Sequence, residues 1–473
     1  LFFTGNILTL YWNAGQSLSK KPEGFQGNFH MTSRRDIGDC FTVELRVKTT
    51  TGQEAFPALA GDKAWDGGAV EDFASRHNYG KSLDSGLRPG WCIALQPDGA
   101  WAWNLADGEK RLDYLPTAER QSIADNRWHH LAFSLDWPRR EARLYCDGRA
   151  VAVYSLAELA SYRGDQTPQA GTMLAGAIEG FALREGIATP AEIAARAQRA
   201  ATPAPVATDE IRVLSWNIWN GGREDGAVEG VERIIEIIGD CGADIVAMQE
   251  TYGSGPRIAD ALGFEFYRRS SNLSLISRFP IGATHDLFDD PFRFGGATLA
   301  LGPDRHLEVY TLWIHYLPDF CTDVRQPDAS AAALVAAEEQ TRGAEIRGIL
   351  EALAPRLRDP DRPVVVAGDF NCPSHLDWTP AARALHRDLV VNWPVSQAMA
   401  DAGFTDAYRN THPDPLAHPG RTWTPRNPAS WQDRIDYIYH RGLLRCAAAE
   451  VLDHHAIQWP SDHAAVLAVV QVD

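Results

Sequence analysis

A chain of 473 residues is too long for one ordinary core, and at 45% hydrophobic with 15 tryptophans it is globular rather than disordered. The net charge of −17 argues against a broad basic face for a polyanion, and no run of about 18 apolar residues is present to cross a membrane as a helix. The seven cysteines are odd in number and include no CxxC pair, which disfavours a zinc ribbon or a disulfide framework and leaves one or two disulfides open. The opening LFFTGNILTLYW lacks an initiator methionine and the basic start of a signal peptide, as expected of a processed or trimmed chain.

The first third predicts strands. FTVELRVKTT (41–50) alternates apolar and polar residues, and WCIALQPDGAWAWNL (91–105) reads as two runs around a Pro97-Asp98-Gly99 turn. WHHLAFSLD (128–136) and ARLYCDGRAVAVYSL (142–156) continue the pattern, the second turning at Asp147-Gly148, with His129 and His130 read as strand residues. Short strands punctuated by turns predict an all-β sandwich. The W-HHLAF…LYCDG-AV pattern resembles laminin G-like or concanavalin A-type lectin sandwiches, of jelly-roll form, over residues 1–183. The polar stretch 62–86 is expected to be a surface loop, with a reach toward the active site as the other reading. Residues 184–209, a short Ala-rich helix followed by Thr-Pro-Ala-Pro, read as a linker.

From 210 to 473 the texture is mixed. IRVLSWNIW is a buried strand, GAVEGVERIIEIIGD (226–240) has helical spacing, and ADIVAMQE, LSLISRFPI, HLEVYTLWIHY, RPVVVAGDF, RIDYIYH and AAVLAVVQV read as strands. ASAAALVAAEEQTRGAEIRGILEAL (329–353) predicts one long helix. The alternation indicates a layered α/β domain. From residue 205 onward 38 acidic residues face 23 arginines and no lysine, a poor electrostatic match for a phosphate backbone unless bound cations offset it.

Strand ends in this half finish on polar residues. LSWN presents Asn217, AMQE presents Gln249 and Glu250, WIHY presents His315, and AGDFN presents Asp369 and Asn371. RIDYI and SDH add Asp436, Asp462 and His463. Brought to one rim, they make a cleft of carboxylate, amide and imidazole, the oxygen-rich surroundings that Mg²⁺ prefers. A hard cation beside an acid–base histidine suits phosphoester hydrolysis. Asp369 and Asn371 share one side of an extended chain and Phe370 takes the other, toward the core.

The ordered set WN, QE, IH, GDFN, RIDYI and SDH resembles the endonuclease/exonuclease/phosphatase superfamily over about residues 210–473. The resemblance implies an α/β four-layer sandwich with two central β-sheets, and hydrolysis at phosphorus assisted by Mg²⁺ or Mn²⁺, with Ca²⁺ as a further option. It implies Glu250 as principal metal ligand, Asn217 beside it on metal, phosphate or a metal water, and Asp462 completing the metal shell. Asp369 would orient or deprotonate the attacking water, and Asn371 would donate to a phosphate oxygen. His463 would act as imidazolium or as a general base paired to Asp369, Asp436 would orient an imidazole, and His315 would protonate the leaving oxygen. Some nuclease members carry an Asp two positions after the motif Asn; here Trp219 stands there, which puts a second metal in doubt and adds an aromatic wall.

Around this set, Gln249 is read as support for the sheet edge, Asp433 as surface, and Arg278 as structural. His375 and Asp377 stand between substrate contact and loop structure, and Arg421 between phosphate clamp and structure. The His454–His455 pair reads as solvated surface, and the loop tryptophans Trp219, Trp378, Trp393, Trp423, Trp431 and Trp459 read mostly as core, with two or three left to line the cleft and stack on a sugar, base or lipid group. The expected function is a metal-dependent phosphoester hydrolase, a phosphodiesterase acting on a lipid, sugar-linked or small-molecule phosphoester. The alternatives are a metal-dependent nuclease and a glycan-binding protein with a relic catalytic domain. Expected partners are the phosphoester substrate and a glycan at the N-terminal domain, with nucleic acid disfavoured and no transmembrane segment. By analogy with laminin-type domains, a secreted or periplasmic setting is expected.

Overall fold

A computed structural model describes residues 7–12, 38–50, 56–65, 84–171, 175–198 and 209–472. Most of the polar stretch after Trp65 and residues 199–208 of the predicted linker lie outside them. The chain forms two compact units, Leu1–Pro203 with Ala259–Gly263, and Ala204–Ile258 with Phe264–Asp473.

The first unit is a two-sheet antiparallel sandwich. One sheet runs in the order Ile7–Trp12, Gly176–Glu185, Cys40–Thr49, His129–Asp136, Glu141–Cys146 and Arg149–Ser155. The other runs Gln169–Ala170, Ala58–Gly61, Gly90–Leu95, Trp101–Ala106 and Arg111–Tyr114. Phe133 of the first sheet packs edge-on against Trp91 and Trp103 of the second, at centroid distances of 5.2 and 5.8 Å. The Pro97–Gly99 turn forms as expected: Gly99 takes φ +98°, and Asp98 Oδ1 accepts the Ala100 amide at 3.0 Å. After the last strand, the helix Pro190–Arg196 starts on a Thr189/Glu192 capping box and buries Ile193 among Ala132, Tyr145 and Ala188. His129 is held by Asp125 and Asp147 and His130 by Glu44, both on the strand His129–Asp136.

The second unit stacks two six-stranded sheets. The first runs Glu265–Arg268, Ser274–Ser277, Ile245–Gln249, Glu210–Asn217, Ala465–Val472 and Leu444–Leu452. The second runs Ile281–His285, Phe294–Gly302, Arg305–Trp313, Val364–Asp369, Asp436–Arg441 and Thr405–Asp406. Strands Glu210–Asn217 and Ile245–Gln249 pack face to face on Arg305–Trp313 and Val364–Asp369. Ile346, Ile349 and Leu353 of the helix Arg342–Leu357 cover the outer face of the second sheet, against Leu312, Val364 and Val366. With helices outside two stacked sheets, this is the α/β sandwich the resemblance implied.

Register brings the polar ends together. Asn217 lies opposite Gln249 in a parallel pair, and Asp369 lies opposite both Trp313 and Asp436. The glycine of the GDFN stretch has a steric reason: a Cβ on Gly368 would meet the Leu312 carbonyl oxygen at 2.1 Å, so only glycine lets these strands close. Phe370 points into the core and packs on Tyr437 and Tyr439, at 5.3 Å from each.

The single long helix expected over 329–353 is two helices, Ala331–Glu339 and Arg342–Leu357, broken at Thr341. The Thr341 hydroxyl donates back to the carbonyls of Ala337 and Glu338, and its backbone leaves the helical region at φ −124° and ψ −97°. The seven cysteines are all free, and among the described residues no helix is long and apolar enough to cross a membrane.

Glu308 ties the far end of the second sheet. Burial would raise its carboxyl, but hydrogen bonds from Arg356, Arg362 and Tyr310 outweigh that and hold it at about 2, below the ordinary 4.5. A depressed carboxyl stabilises the fold above its unfolded pKa, and that stability is lost as pH falls from about 4.5 toward about 2. Glu308→Gln is expected to cost about 3 kcal/mol at neutral pH and to flatten the acid limb of stability, as read by urea unfolding at several pH values.

Candidate active site

Asn217 stands at the centre. It ends its strand fully buried, and its Nδ2 donates to Glu250 Oε1 at 3.2 Å and to Asp369 Oδ2 at 3.1 Å. Its Oδ1 accepts the Trp219 amide at 3.0 Å. The loop that follows keeps Trp219, Asn220, Gly221 and Gly222 all at positive φ, from 50° to 70°. That tight left-handed path aims the Asn220 amide at Glu250 Oε2, 3.0 Å away.

Glu250 is itself at φ +56°, its amide bonded to Asn272 Oδ1 at 2.8 Å. Asn371 is at φ +51°; its amide donates to Asp369 Oδ1 at 2.9 Å and its Nδ2 to the Ile314 carbonyl at 2.9 Å. Non-glycine residues at positive φ persist where the surroundings over-determine them, and here those surroundings are the site itself.

The second sheet supplies Asp369 and Asp436, and the turn before the last strand of the first sheet supplies His463. His463 Nδ1 lies 2.9 Å from Asp436 Oδ2 and Nε2 lies 3.8 Å from Asp369 Oδ2. Trp423 covers the ring edge-on at 4.9 Å, and Ser461 Oγ accepts the His463 amide at 3.0 Å. Burial opposes the imidazolium, but Asp436 and Asp369 more than offset it and hold the ring well above its ordinary 6.5. Burial pushes the Asp369 carboxyl up to about 7, against the pull of His463, with Asp436 adding to the rise.

The ligand atoms of Asp369, Asp436 and His463 lie within 4.8 Å of one another, close enough to hold a cation. A protonated imidazole, however, has no lone pair to give, and both ring nitrogens already face carboxylates. The trio is therefore better understood as an ion-paired Asp–His–Asp. The better fit to a metal lies beside it. Asp462 Oδ1 is buried and makes no hydrogen bond, and burial together with the nearby Glu250 charge raises its carboxyl to about 6 despite His463. Two like-charged carboxylates, one with an orphaned buried oxygen, next to the Asn217 amide suit a hard cation.

Not every expected residue joins this cluster. Among the described residues, no hydrogen bond or ion pair links His315, His375 or Arg421 to it. His375 is held by Ser396, at 2.8 Å through both its amide and Nδ1. Arg421 is exposed. Asp377 takes its structural reading, buried and paired with Arg409 and with Arg434 at 2.8 Å. Gln249 supports the sheets as expected, its Nε2 reaching Thr311 Oγ1 at 3.0 Å. Arg278 pairs with Asp244 at 3.3 Å. Trp219 lies under the Arg426 guanidinium, 5.4 Å from the ring.

The expectation that Asp433 is surface is wrong. Asp433 is 4% exposed and accepts from Trp378 Nε1 at 3.0 Å and Trp431 Nε1 at 3.2 Å, because the segment before Asp436 runs under the tryptophan cluster and not over the surface. Trp423, one of the loop tryptophans left between core and cleft, covers His463, and sequence reasoning missed Thr422, whose Oγ1 accepts the amides of Ile435 and Asp436 at 3.0 and 3.1 Å. They follow Arg421 in the RTWTP stretch, and neither residue type is by itself a signal of a site.

Two stacked sheets that present amides, carboxylates and a carboxylate-clamped imidazole at one rim define an α/β-sandwich hydrolase domain. Residues 214–463 match the model of the Endonuclease/Exonuclease/phosphatase family, and the chain belongs to that family. Residues 27–194 match that of the Concanavalin A-like lectin/glucanases superfamily. An uncharacterised protein of Caenorhabditis elegans is 28% identical over 290 residues, covering 54% of this chain and 90% of the relative. The solved TDP2 of C. elegans is 15% identical with a TM-score of 0.38, covering 55% of this chain and 74% of that one. The human Nocturnin catalytic domain is 17% identical with a TM-score of 0.38, covering 57% and 96%. An AP endonuclease from Archaeoglobus fulgidus is 17% identical with a TM-score of 0.38, covering 55% and 98%.

If Asp436 sustains the His463 charge, Asp436→Asn is expected to lower the His463 pKa by about 1 to 3, as followed by NMR titration of the histidine rings. An unchanged titration would show that Asp369 alone suffices.

Proposed function

We propose that the second unit is a divalent-metal-dependent phosphodiesterase. The observation that carries the reading is the buried His463 clamped between Asp436 and Asp369 and joined through Asn217 to Glu250. Glu250, Asp462 and Asn217 are the residues to hold the ion, Mg²⁺ or Mn²⁺ by their oxygen chemistry, with Ca²⁺ as an alternative. When bound, that ion supplies charge for a phosphoryl oxygen and lowers the pKa of water. Asp369, its carboxyl raised to about 7, takes the proton of the attacking water. His463, held protonated, stabilises charge on the non-bridging oxygens, and Asn371, whose amide and Nδ2 both donate to Asp369, holds that carboxylate in place.

The substrate class follows from charge. Two arginines of the site's surroundings are consumed internally, Arg426 by Asp225 at 2.7 and 2.9 Å and Arg434 by Asp377 and Asp406 at 2.8 and 2.6 Å, which leaves the exposed Arg421. With 38 acidic residues against 23 arginines and no lysine from residue 205 onward, the balance of charge disfavours a polyanion. A substrate with one phosphoester, on a lipid, a sugar or a small molecule, fits better than a long nucleic acid. The sandwich unit is the place for a glycan contact.

Hydrolysis of bis-(p-nitrophenyl) phosphate and p-nitrophenyl phosphate with Mg²⁺, Mn²⁺, Ca²⁺ or EDTA tests this. Metal-dependent diester cleavage is expected, falling by about 10³-fold or more in Glu250→Ala and in His463→Ala. Mn²⁺ binding by calorimetry is expected to weaken in Glu250→Ala and to survive in His463→Ala. Monoester-only cleavage would move the reading to a phosphatase. No cleavage together with no metal binding would leave a glycan-binding protein.

A further inference from the structure

We propose that Phe292, Trp313 and Tyr316 form an aromatic shelf beside Asp369 that selects small-molecule phosphodiesters carrying a flat, uncharged ring on one ester arm. The shelf deepens the phosphodiesterase reading and rests on it for the reaction. Its binding of a ring does not depend on turnover.

Trp313 is placed by its strand. It lies opposite Asp369 in a parallel pair, and strands so paired stand about 5 Å apart. Side chains alternate along a strand. Leu312 packs outward with Ile346 and Ile349 of the helix Arg342–Leu357, and Thr311 faces inward, its Oγ1 3.0 Å from Gln249 Nε2 of the other sheet. Trp313, two residues after Thr311, takes that same inward side, on which Asp369 meets Asn217. The next residue is tied to the site twice: the Ile314 amide donates to the Asp369 carbonyl at 3.2 Å, and the Ile314 carbonyl accepts Asn371 Nδ2 at 2.9 Å.

The other rings continue from it. Phe292 meets Trp313 edge-on at 5.6 Å and 89°, and Tyr316 lies tilted against it at 6.2 Å and 49°. The Phe292 carbonyl accepts Asn272 Nδ2 at 3.0 Å, and Asn272 Oδ1 accepts the Glu250 amide at 2.8 Å. The strand Val364–Asp369 has Arg305–Trp313 on one side and Asp436–Arg441 on the other, so the shelf flanks Asp369 on the side away from Asp436.

These rings are open to solvent. Residues 309–312 of the strand are buried, whereas Trp313 and Phe292 are half-buried, and Tyr316 and its neighbour Leu317 are 55% and 44% exposed. Exposed apolar surface continuous with a reacting centre marks a recognition surface. Its chemistry narrows the ligand. Arg293 lies over the Trp313 ring at 4.9 Å, but its charge is met by Asp290 at 3.5 Å and Glu345 at 3.8 Å. Rings held at steep angles to one another take a further flat ring by offset or edge-to-face contact, and a flexible chain gains no such oriented contact.

The test is calorimetric binding of phosphonates, which are not hydrolysed, to the Mn²⁺-loaded protein. Phenylphosphonate is expected to bind about tenfold to a hundredfold more tightly than methylphosphonate, the usual worth of a stacked ring. It should exceed cyclohexylphosphonate by about twofold to tenfold, the part of aromatic pairing beyond buried area. Trp313→Ala should close most of both gaps and Trp313→Phe restore most of them. Tyr316→Ala, at an exposed position that folding does not need, should narrow them. The KM for bis-(p-nitrophenyl) phosphate should rise in Trp313→Ala along with the loss of phenylphosphonate binding. Equal binding of the phenyl and methyl compounds by the wild type, or gaps unchanged in both Trp313→Ala and Tyr316→Ala, overturns the shelf. Cyclohexyl- or hexylphosphonate binding as tightly as phenylphosphonate makes the surface merely apolar and overturns the flat ring. Single-stranded DNA binding more tightly than adenosine monophosphate at physiological salt overturns the small-molecule source. A wild type that prefers the phenyl compound through Trp313 but cleaves no phosphoester would sink the phosphodiesterase reading and leave the shelf standing.

Discussion

A charged imidazole sits where water does not reach, and the rest of the site is built around keeping it there. His463 is 4% exposed and belongs to the first sheet's last turn, while Asp369 and Asp436 belong to neighbouring strands of the second sheet. The ion pairs therefore cross the interface between the sheets. Burying such charges costs desolvation energy, so they are weak sources of stability. Their value is geometric: the two sheets can stack in few ways that bring both carboxylates to the ring.

Around that core, polar groups are used up in layers. Asn217 spends its amide on Glu250 and Asp369 and its oxygen on Trp219. Asp377, Arg409, Arg434 and Asp406 form a buried chain of ion pairs beneath the loop that follows Asn371. The guanidinium groups of this chain of ion pairs are structural. The site keeps one oxygen of Asp462 without a hydrogen bond, as a cation-binding cleft requires.

Backbone strain marks the same place. Glu250, Asn371, Trp219 and Asn220 all take positive φ without being glycine; Glu250 directly follows a strand end and the others come two or three residues after one. The strands fix direction, and the strained residue turns the side chain or amide back toward the centre. The loop of His315 uses another device, a backbone amide aimed at a ring nitrogen.

The sequence by itself determined the strand ends and their order. Alternation and apolar runs located the strands that finish on Asn217, Asp369 and the segment of His315, and the residue types there declared oxygen-ligand and acid–base chemistry. These are local properties, carried by neighbours along the chain. Tertiary structure decided the pairings. Nothing local sends Asp433 under a tryptophan cluster or sets Thr422 and Trp423 beside Asp436 and His463, because each depends on packing between segments distant in sequence. The state of His463 was undecided for the same reason: its proton is held by the carboxylates the fold sets against the ring, and the sequence names the histidine without naming those neighbours.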